Sequence, residues 1–321
     1  MIRSFLLKDG HLSKDINLEE YVENLDRVKG LLWVDIEDGS KKETEHALSD
    51  IFKFNPIIVA DCLRPFQYST TSVYKDCQFV ASHGLSITNE NRIGVNEVDF
   101  ILGTNFLVSV HGEQVGAVDG MIKNIEDNPQ VMIRGIDWIL YSMLDMMVDG
   151  YFPVLDSLSE RIEQMEDQSV EKPDPELLSQ LLTAKRDVVA VNRVAGPLLE
   201  LTRRLSRDQF DLIKAGSQGY YRNVYEHMVR IEASSESLRE VAEGALTIYA
   251  MSQSNKTNEV IKVLSLVATV GLPPIIISSL YGMNFRHMPE LSWRYGYPLA
   301  LLLMGALSLS LYLFLKVKKW L

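Results

Sequence analysis

The sequence predicts an α/β cytoplasmic domain joined to a long α-helical hairpin and a stalk helix, followed by two C-terminal transmembrane helices. Three observations carry that expectation. Short strand-like runs alternate with helical ones before residue 130, a sustained helical periodicity follows, and two charge-free stretches lie near the end of the chain. A length of 321 residues exceeds one ordinary domain. A mean hydropathy near zero beside 23% charged residues points to the averaging of two unlike parts.

In the α/β region, residues 1–130, the strand candidates are Leu31–Ile36, Gln78–Leu85, Glu97–Leu102 and Asn105–Val110, and the helical runs are Glu43–Phe54 and Gln114–Glu126. The next region, 131–216, places Ile136, Ile139, Leu140, Met143, Met147, Val154, Leu158, Ile162 and Met165 on one helical face. Pro173-Asp174-Pro175 interrupts that run. A second helix, from about Glu176 to Leu205 and bent near Gly196-Pro197, returns as an antiparallel hairpin.

The stalk follows at 217–281. Val224, Met228, Ile231, Ser235, Leu238, Ala242, Ala245, Tyr249 and Ser252 are spaced alternately by four and three, which makes a heptad seam. The seam is open to either a neighbouring subunit or the chain's own hairpin. An unbroken helix from Tyr220 to Leu280 would be roughly 90 Å long at 1.5 Å per residue and could couple the first domain to the membrane.

No charged residue occurs from Val263 to Phe285 or from Tyr295 to Leu315. Each run meets the roughly 20 residues needed to cross a bilayer. Spans are expected at about 262–281 and 296–315, with an external loop at 282–295 and a basic tail at 316–321. Lys256 and Lys262 precede the first span and Lys316, Lys318 and Lys319 follow the second, against Arg286 and Arg294 between them. That bias puts both termini in the cytoplasm. Trp293, Tyr295, Tyr297 and Trp320 suit interfacial anchors. The N-terminal segment, MIRSFLLKDGHLSKD, lacks the pattern of a signal peptide.

Two helices cannot enclose a water-filled path, so a pore requires several copies. The first span, with Ser265, Thr269, Ser278 and Ser279, is the better lining. The second is mostly lipid-facing, with a small-residue face at Gly305, Ala306 and Ser308. Gly271-Leu272-Pro273-Pro274 breaks the first span and frees the carbonyls of Thr269 and Val270, either as a functional break or as a packing kink.

Charge and chemistry exclude several classes. From Thr257 onward there are six basic residues and two acids, which leaves 26 basic and 41 acidic groups, a formal charge of −15, on the preceding residues. That balance suits cations and excludes nucleic acid as a partner. Cys62 and Cys77 have no zinc spacing and fit ordinary thiols in a reducing compartment. His11, His46, His83, His111, His227 and His287 are scattered, and no HExxH, GxSxG or phosphate-loop pattern occurs, so an enzyme is not expected.

One group of residues is distinctive. Tyr281-Gly282-Met283-Asn284-Phe285 is followed by Met288-Pro289-Glu290-Leu291, Trp293, Gly296-Tyr297-Pro298 and a terminal Lys318-Lys319-Trp320-Leu321, and Asn255-Lys256-Thr257-Asn258-Glu259 precedes the first span. On these motifs the chain resembles the CorA family of divalent metal-ion transporters, densely in the tail and by architecture elsewhere. The resemblance implies a homopentameric funnel in the cell membrane that carries Mg2+, Co2+ and Ni2+ into the cytoplasm and is gated by intracellular Mg2+. It implies an outer filter at Gly282, Met283 and Asn284 and an inner mouth at Asn258. Ile261, Leu264, Ala268, Leu272, Ile275 and Ser279 would line the pore between them. Ile261, Leu264 and Leu272 would form a girdle that closes by dewetting.

The residues agree with that chemistry. Mg2+ takes oxygen ligands and sheds water reluctantly, so neutral amide and carbonyl oxygens can hold it through its hydration shell without trapping it. The plainer function of Gly-Met-Asn is a helix C-cap that uses left-handed glycine and asparagine, and the two roles are compatible. Met283 is either a soft ligand or a packing residue, and His287 is a ligand candidate beside the filter. Glu290 would form an external cation collar, with Arg286 and Arg294 near enough to offset it.

By the same resemblance, intracellular Mg2+ binds acids between stalk and facing domain. The matching stalk position is the neutral Asn223, with Glu226 near it and Glu90 and Asp99 as weak facing candidates. Two other functions stay open: a related Zn2+ or other transition-metal transporter, with or without proton coupling, and a membrane-tethered scaffold or sensor.

Overall fold

The computed structural model describes residues 1–22, 30–37, 39–64, 68–88 and 92–318. The chain divides into two compact units, Met1–Gln168 with Asp174–Leu246, and Ser169–Pro173 with Thr247–Leu321.

The first unit opens with β1 (Ile2–Lys8), β2 (His11–Lys14), α1 (Leu18–Val22), β3 (Gly30–Glu37), α2 (Lys41–His46) and α3 (Pro56–Cys62). It continues with β4 (Thr70–Val73), β5 (Gln78–Ile87), β6 (Ile93–Leu102), β7 (Phe106–His111) and α4 (Gly116–Asp127). Among the described residues the strands form a seven-stranded sheet in the order β2-β1-β3-β7-β6-β5-β4. The β3–β7 pair is parallel and the others are antiparallel. All four strands expected from sequence are present, and β1, β2 and β4 are additions. The β1–β2 turn is Asp9-Gly10, at φ 47° and 81°. That is the left-handed pair a two-residue hairpin needs, because its twist matches the strands.

Both faces of the sheet are covered. Val34, Ile36, Val108, Val110, Ile101, Phe79 and Ala81 pack with Ala47, Leu48, Ile58 and Val59 from the segment spanning α2 and α3. The alternate positions Trp33, Leu107, Phe100, Val98 and Val80 are equally buried, and α5 (Ile136–Asp149) packs on β3, β5, β6 and β7. Burial on both sides explains why these strands read as nearly continuous apolar runs.

Asp35, Ser109 and His111 form a polar group within this packing. The Asp35 carboxylate accepts from Ser109 Oγ at 2.6 Å, His111 Nε2 at 3.2 Å and Arg3 at 2.8 Å. His111 Nδ1 donates to the Glu113 carbonyl at 2.6 Å. Burial works against ionising Asp35, but bonds from His111 and Ser109 and the nearby positive charges hold its carboxyl below the usual range. Burial likewise opposes charge on His111, and its bond to Asp35 overrides it and raises the imidazole.

The helical remainder comprises α5, α6 (Tyr151–Glu171), α7 (Pro175–Arg207), α8 (Gln218–Tyr281) and α9 (Gly296–Val317). All nine residues assigned to the α5–α6 face are buried. The face is split between two helices at Gly150, where an added Cβ would come within 3.4 Å of the Leu85 carbonyl. Asp174 caps α7 by accepting from the Leu177 N–H at 2.9 Å. Pro197 lies inside α7, which continues through it.

On α8 the seam residues Val224, Met228, Ile231, Ser235, Leu238, Ala242 and Ala245 are buried within the single chain. Arg161 pairs with Asp187 at 3.3 Å and Lys185 with Glu243 at 3.5 Å, joining α6 to α7 and α7 to α8. The seam therefore meets the chain's own hairpin. Tyr249 and Ser252 are only half-buried, and the first unit ends at Leu246.

Candidate functional site

In the second unit the apolar residues of α8 and α9 are largely uncovered. Both helices are long and apolar enough to cross a membrane, and only 6% of the most apolar window of each is buried. Apolar area on this scale needs a partner, because each fully exposed Leu or Ile forgoes about 1.5–3 kcal/mol of burial.

From Val263 onward the partly covered positions on α8 are Leu266, Thr269, Val270, Gly271, Pro273, Pro274, Ile277 and Tyr281; on α9 Gly296 and Ala300 are buried, and Met304, Ser308, Leu311 and Leu315 are partly covered. Ser308 Oγ donates to the Val270 carbonyl at 2.8 Å. That carbonyl is the one left without its helical donor by Pro274, so a side chain of the second span supplies the missing bond. Gly305 and Ala306, expected to share a small-residue face with Ser308, are exposed instead. The covered residues of α9, Ala300, Met304, Ser308, Leu311 and Leu315, follow one another in steps of four and three, and Gly305 and Ala306 fall outside that line.

The residues expected to line a pore occupy a different face of α8. Ile261, Leu264, Leu272 and Ile275 are between 50 and 69% exposed, and Asn258, Ala268 and Ser279 are exposed as well. Leu264, Ala268, Ile275 and Ser279 each stand two residues before the half-covered Leu266, Val270, Ile277 and Tyr281. Two residues is about 200° of helix at about 100° each, so the face is nearly opposite the one that packs.

After α8 the Gly282 N–H donates to the Ser278 carbonyl at 3.0 Å and the Met283 N–H to the Leu280 carbonyl at 3.3 Å. Neither Gly282 nor Asn284 is left-handed, since the positive-φ residues among those described are Asp9, Gly10, Asp15, Lys53 and Gly135. The left-handed C-cap expected for Gly-Met-Asn is therefore corrected: the helix ends on ordinary backbone. Met283 is 48% exposed, and Asn284 and His287 are exposed.

The segment between the spans holds a short 3-10 turn, Pro289–Ser292. Trp293 and Tyr295 meet edge to face at 6.0 Å, and Arg294 stacks over Tyr295 at 5.8 Å. Glu290 is exposed, and among the described residues no ion pair joins it to Arg286 or Arg294. A Cβ on Gly296 would run into the Glu290 carbonyl, so glycine is required where the chain re-enters α9.

Of the stalk and facing candidates, Asn223 and Glu226 are exposed on α8, and Glu90 lies outside the described residues. Asp99, expected as an acid facing a neighbouring stalk, is 4% exposed on β6 and belongs to the interior. The fold also gathers a group that sequence reading did not. His227 Nδ1 lies 3.5 Å from Asp149 Oδ1, and Tyr141 donates to Asp145 at 3.2 Å. Burial and then the charge of Asp149 raise the Asp145 carboxyl. Two acids on α5 thus stand beside the stalk turn that carries Asn223 and Glu226. The i, i+4 spacing of 145 and 149 was visible in the sequence, but nothing local pairs it with residue 227.

The family model described as "CorA-like Mg2+ transporter protein" matches residues 28–319. The chain is 32% identical over 292 residues to the cobalt/magnesium transport protein CorA of Thermotoga maritima, covering 90% of this chain and 83% of that one. It is 52% identical over 64 residues to the magnesium transport protein CorA of Sodalis glossinidius, 20% of each chain. Its fold matches the complete structure of the CorA magnesium transporter from Methanocaldococcus jannaschii with a TM-score of 0.86 at 20% identity, over 99% of this chain and 98% of the other.

Proposed function

The chain belongs to the family of CorA-like Mg2+ transporters, and from that premise we propose that it is a pore subunit carrying hydrated Mg2+, and with it Co2+ and Ni2+, into the cytoplasm. Five copies would surround the path, each turning the exposed face of α8 to the axis, with both termini in the cytoplasm. The observation that carries this reading is the pair of faces on α8. One packs on α9, and the other presents Asn258, Ile261, Leu264, Ala268, Leu272, Ile275 and Ser279 with nothing from the same chain over them.

The composition of that face supports an axis rather than lipid alone. It begins and ends on polar side chains, Asn258 and Ser279, and Leu264 and Leu272 between them form a dewetting gate. Asn284 and the Gly282 carbonyl supply neutral oxygens at the outer end, where Mg2+ binds with its water retained. Exposed Glu290 raises local cation concentration. On the cytoplasmic side, the neutral Asn223 leaves Glu226, Asp145 and Asp149 as the acids through which internal Mg2+ favours the closed arrangement, with low affinity.

The test is ion flux into liposomes that contain the purified protein, for Mg2+, Co2+, Ni2+ and Zn2+, with and without a pH gradient. Mg2+ entry that is indifferent to the pH gradient is expected. Flux of Zn2+ alone, driven by protons, or no flux of any ion would overturn the reading.

A further inference from the structure

We propose that Ser308 is a positioning residue for the gate: its hydroxyl, bonded to the Val270 carbonyl, holds the weakest turn of α8 in one shape and so fixes where Leu272 stands. The bond lies wholly within the second unit. Its consequence for gating rests on the proposed pore.

The weakness of the turn is written in Gly271-Leu272-Pro273-Pro274. Glycine and proline are the two residues least suited to a helix interior, and they take three of these four places. Space does not demand the glycine, since a Cβ there would meet no atom within 4 Å. Both prolines lie inside α8, which continues to Tyr281. Neither has an N–H, so the carbonyls of Thr269 and Val270 lose their helical donors in succession. Two missing bonds in one turn leave the segment that carries Leu272 poorly tied to the segment that leads to Gly282.

Ser308 ties that turn from outside. A serine within a helix commonly donates to the carbonyl four residues back on its own helix. Its hydroxyl has one proton, and that of Ser308 goes to Val270 at 2.8 Å instead. Thr269, Val270, Pro273 and Pro274 are all partly covered, as is Ser308, whereas Leu272 is 50% exposed on another face. The restraint therefore acts from behind the leucine and leaves its side chain free toward the axis. At bilayer depth an unbonded carbonyl is costly, so the bond resists any change in the shape of the turn. A girdle that closes by dewetting depends on its width, and a leucine no longer held at one distance from the axis lets it leak.

The test uses full-length protein in liposomes, with Mg2+ flux measured against internal Mg2+, and the same protein in detergent for backbone hydrogen exchange over residues 266–281. Ser308→Ala is expected to raise flux at high internal Mg2+ and to speed that exchange, each by about two- to tenfold, the range of one hydrogen bond. Ser308→Thr, which keeps the hydroxyl, should match wild type in both. Pro274→Ala returns an N–H to the Val270 carbonyl and leaves Pro273 in place, so in that background Ser308→Ala should change neither. Pro274→Leu serves if Pro274→Ala does not assemble. Equal flux and exchange in wild type and Ser308→Ala, or effects of the same size with and without Pro274, would overturn the proposal. Faster exchange in Ser308→Ala without a change of flux would leave the bond and overturn its role at the gate; a wild type that carries no Mg2+ would overturn the pore itself.

Discussion

Two stretches of α8 meet their apolar residues in opposite ways. From Gln218 to Leu246 the heptad seam is buried against the hairpin of the same chain, and from Thr247 to Tyr281 large apolar side chains such as Val260, Leu264, Val267 and Ile276 stand exposed. Helical geometry is common to both, so the difference lies in what each was selected to touch. Where the apolar stripe is narrow and flanked by charge, one neighbouring hairpin covers it. Where the helix is apolar all round, a single partner such as α9 covers one face and leaves the others for lipid or further copies.

The comparison breaks most visibly at the end of the second stretch. Asn284→Ala changes an exposed side chain that makes no helix cap, so assembly and melting temperature should stay as in wild type. Mg2+ flux in liposomes should fall to the level of empty vesicles. Full transport by a well-folded variant would remove Asn284 from the filter.

In the first stretch the opposite outcome is expected. Ile231→Ala opens a cavity in the buried seam and should cost about 2–5 kcal/mol, read from denaturant unfolding. The ratio of Mg2+ to Co2+ flux in surviving protein should not change. A loss below about 1 kcal/mol would mean that the seam is not held by its own hairpin.

Leu272→Asn sharpens the contrast within the second stretch. On an axis-facing surface the amide wets the girdle and should raise flux at high internal Mg2+ with little change in melting. Unchanged flux, with thiol labelling that reports Leu272→Cys in lipid, would rotate the assigned face.

The smallest effect is expected at the hydrogen bond from Ser308 to the Val270 carbonyl, which links the spans. Ser308→Ala leaves the Val270 carbonyl without its donor and should cost about 0.5–1.5 kcal/mol. The full-length protein should melt slightly lower in detergent. No change would mean that another group or water replaces the hydroxyl.

Much of this architecture was legible because it is local. The alternation of four and three along Val224–Ala245 marked the buried seam before any partner was known, and two charge-free stretches marked the spans. Pro273-Pro274 specified which carbonyls would lack a donor. Even the Asp9-Gly10 hairpin was present as a dipeptide, although only the positive φ values of both residues made it evident.

What the sequence alone could not decide depends on residues far apart in the chain. β1 is a strand because Phe5 pairs with Trp33 and Leu6 with Leu32, not because of any alternation of its own. The acid in Glu97-Val98-Asp99 reads as a surface residue until the neighbouring strands and α3 close over it. Asp149 and His227 meet only when α5 and α8 pack. Ser308 finds Val270 only across the two spans, while Gly305 and Ala306, more suggestive in sequence, turn away. The period of a helix or strand is set by bonds between near neighbours, and so it is written locally. The environment of a side chain is set by which distant surface is buried against it, and that only the folded chain determines.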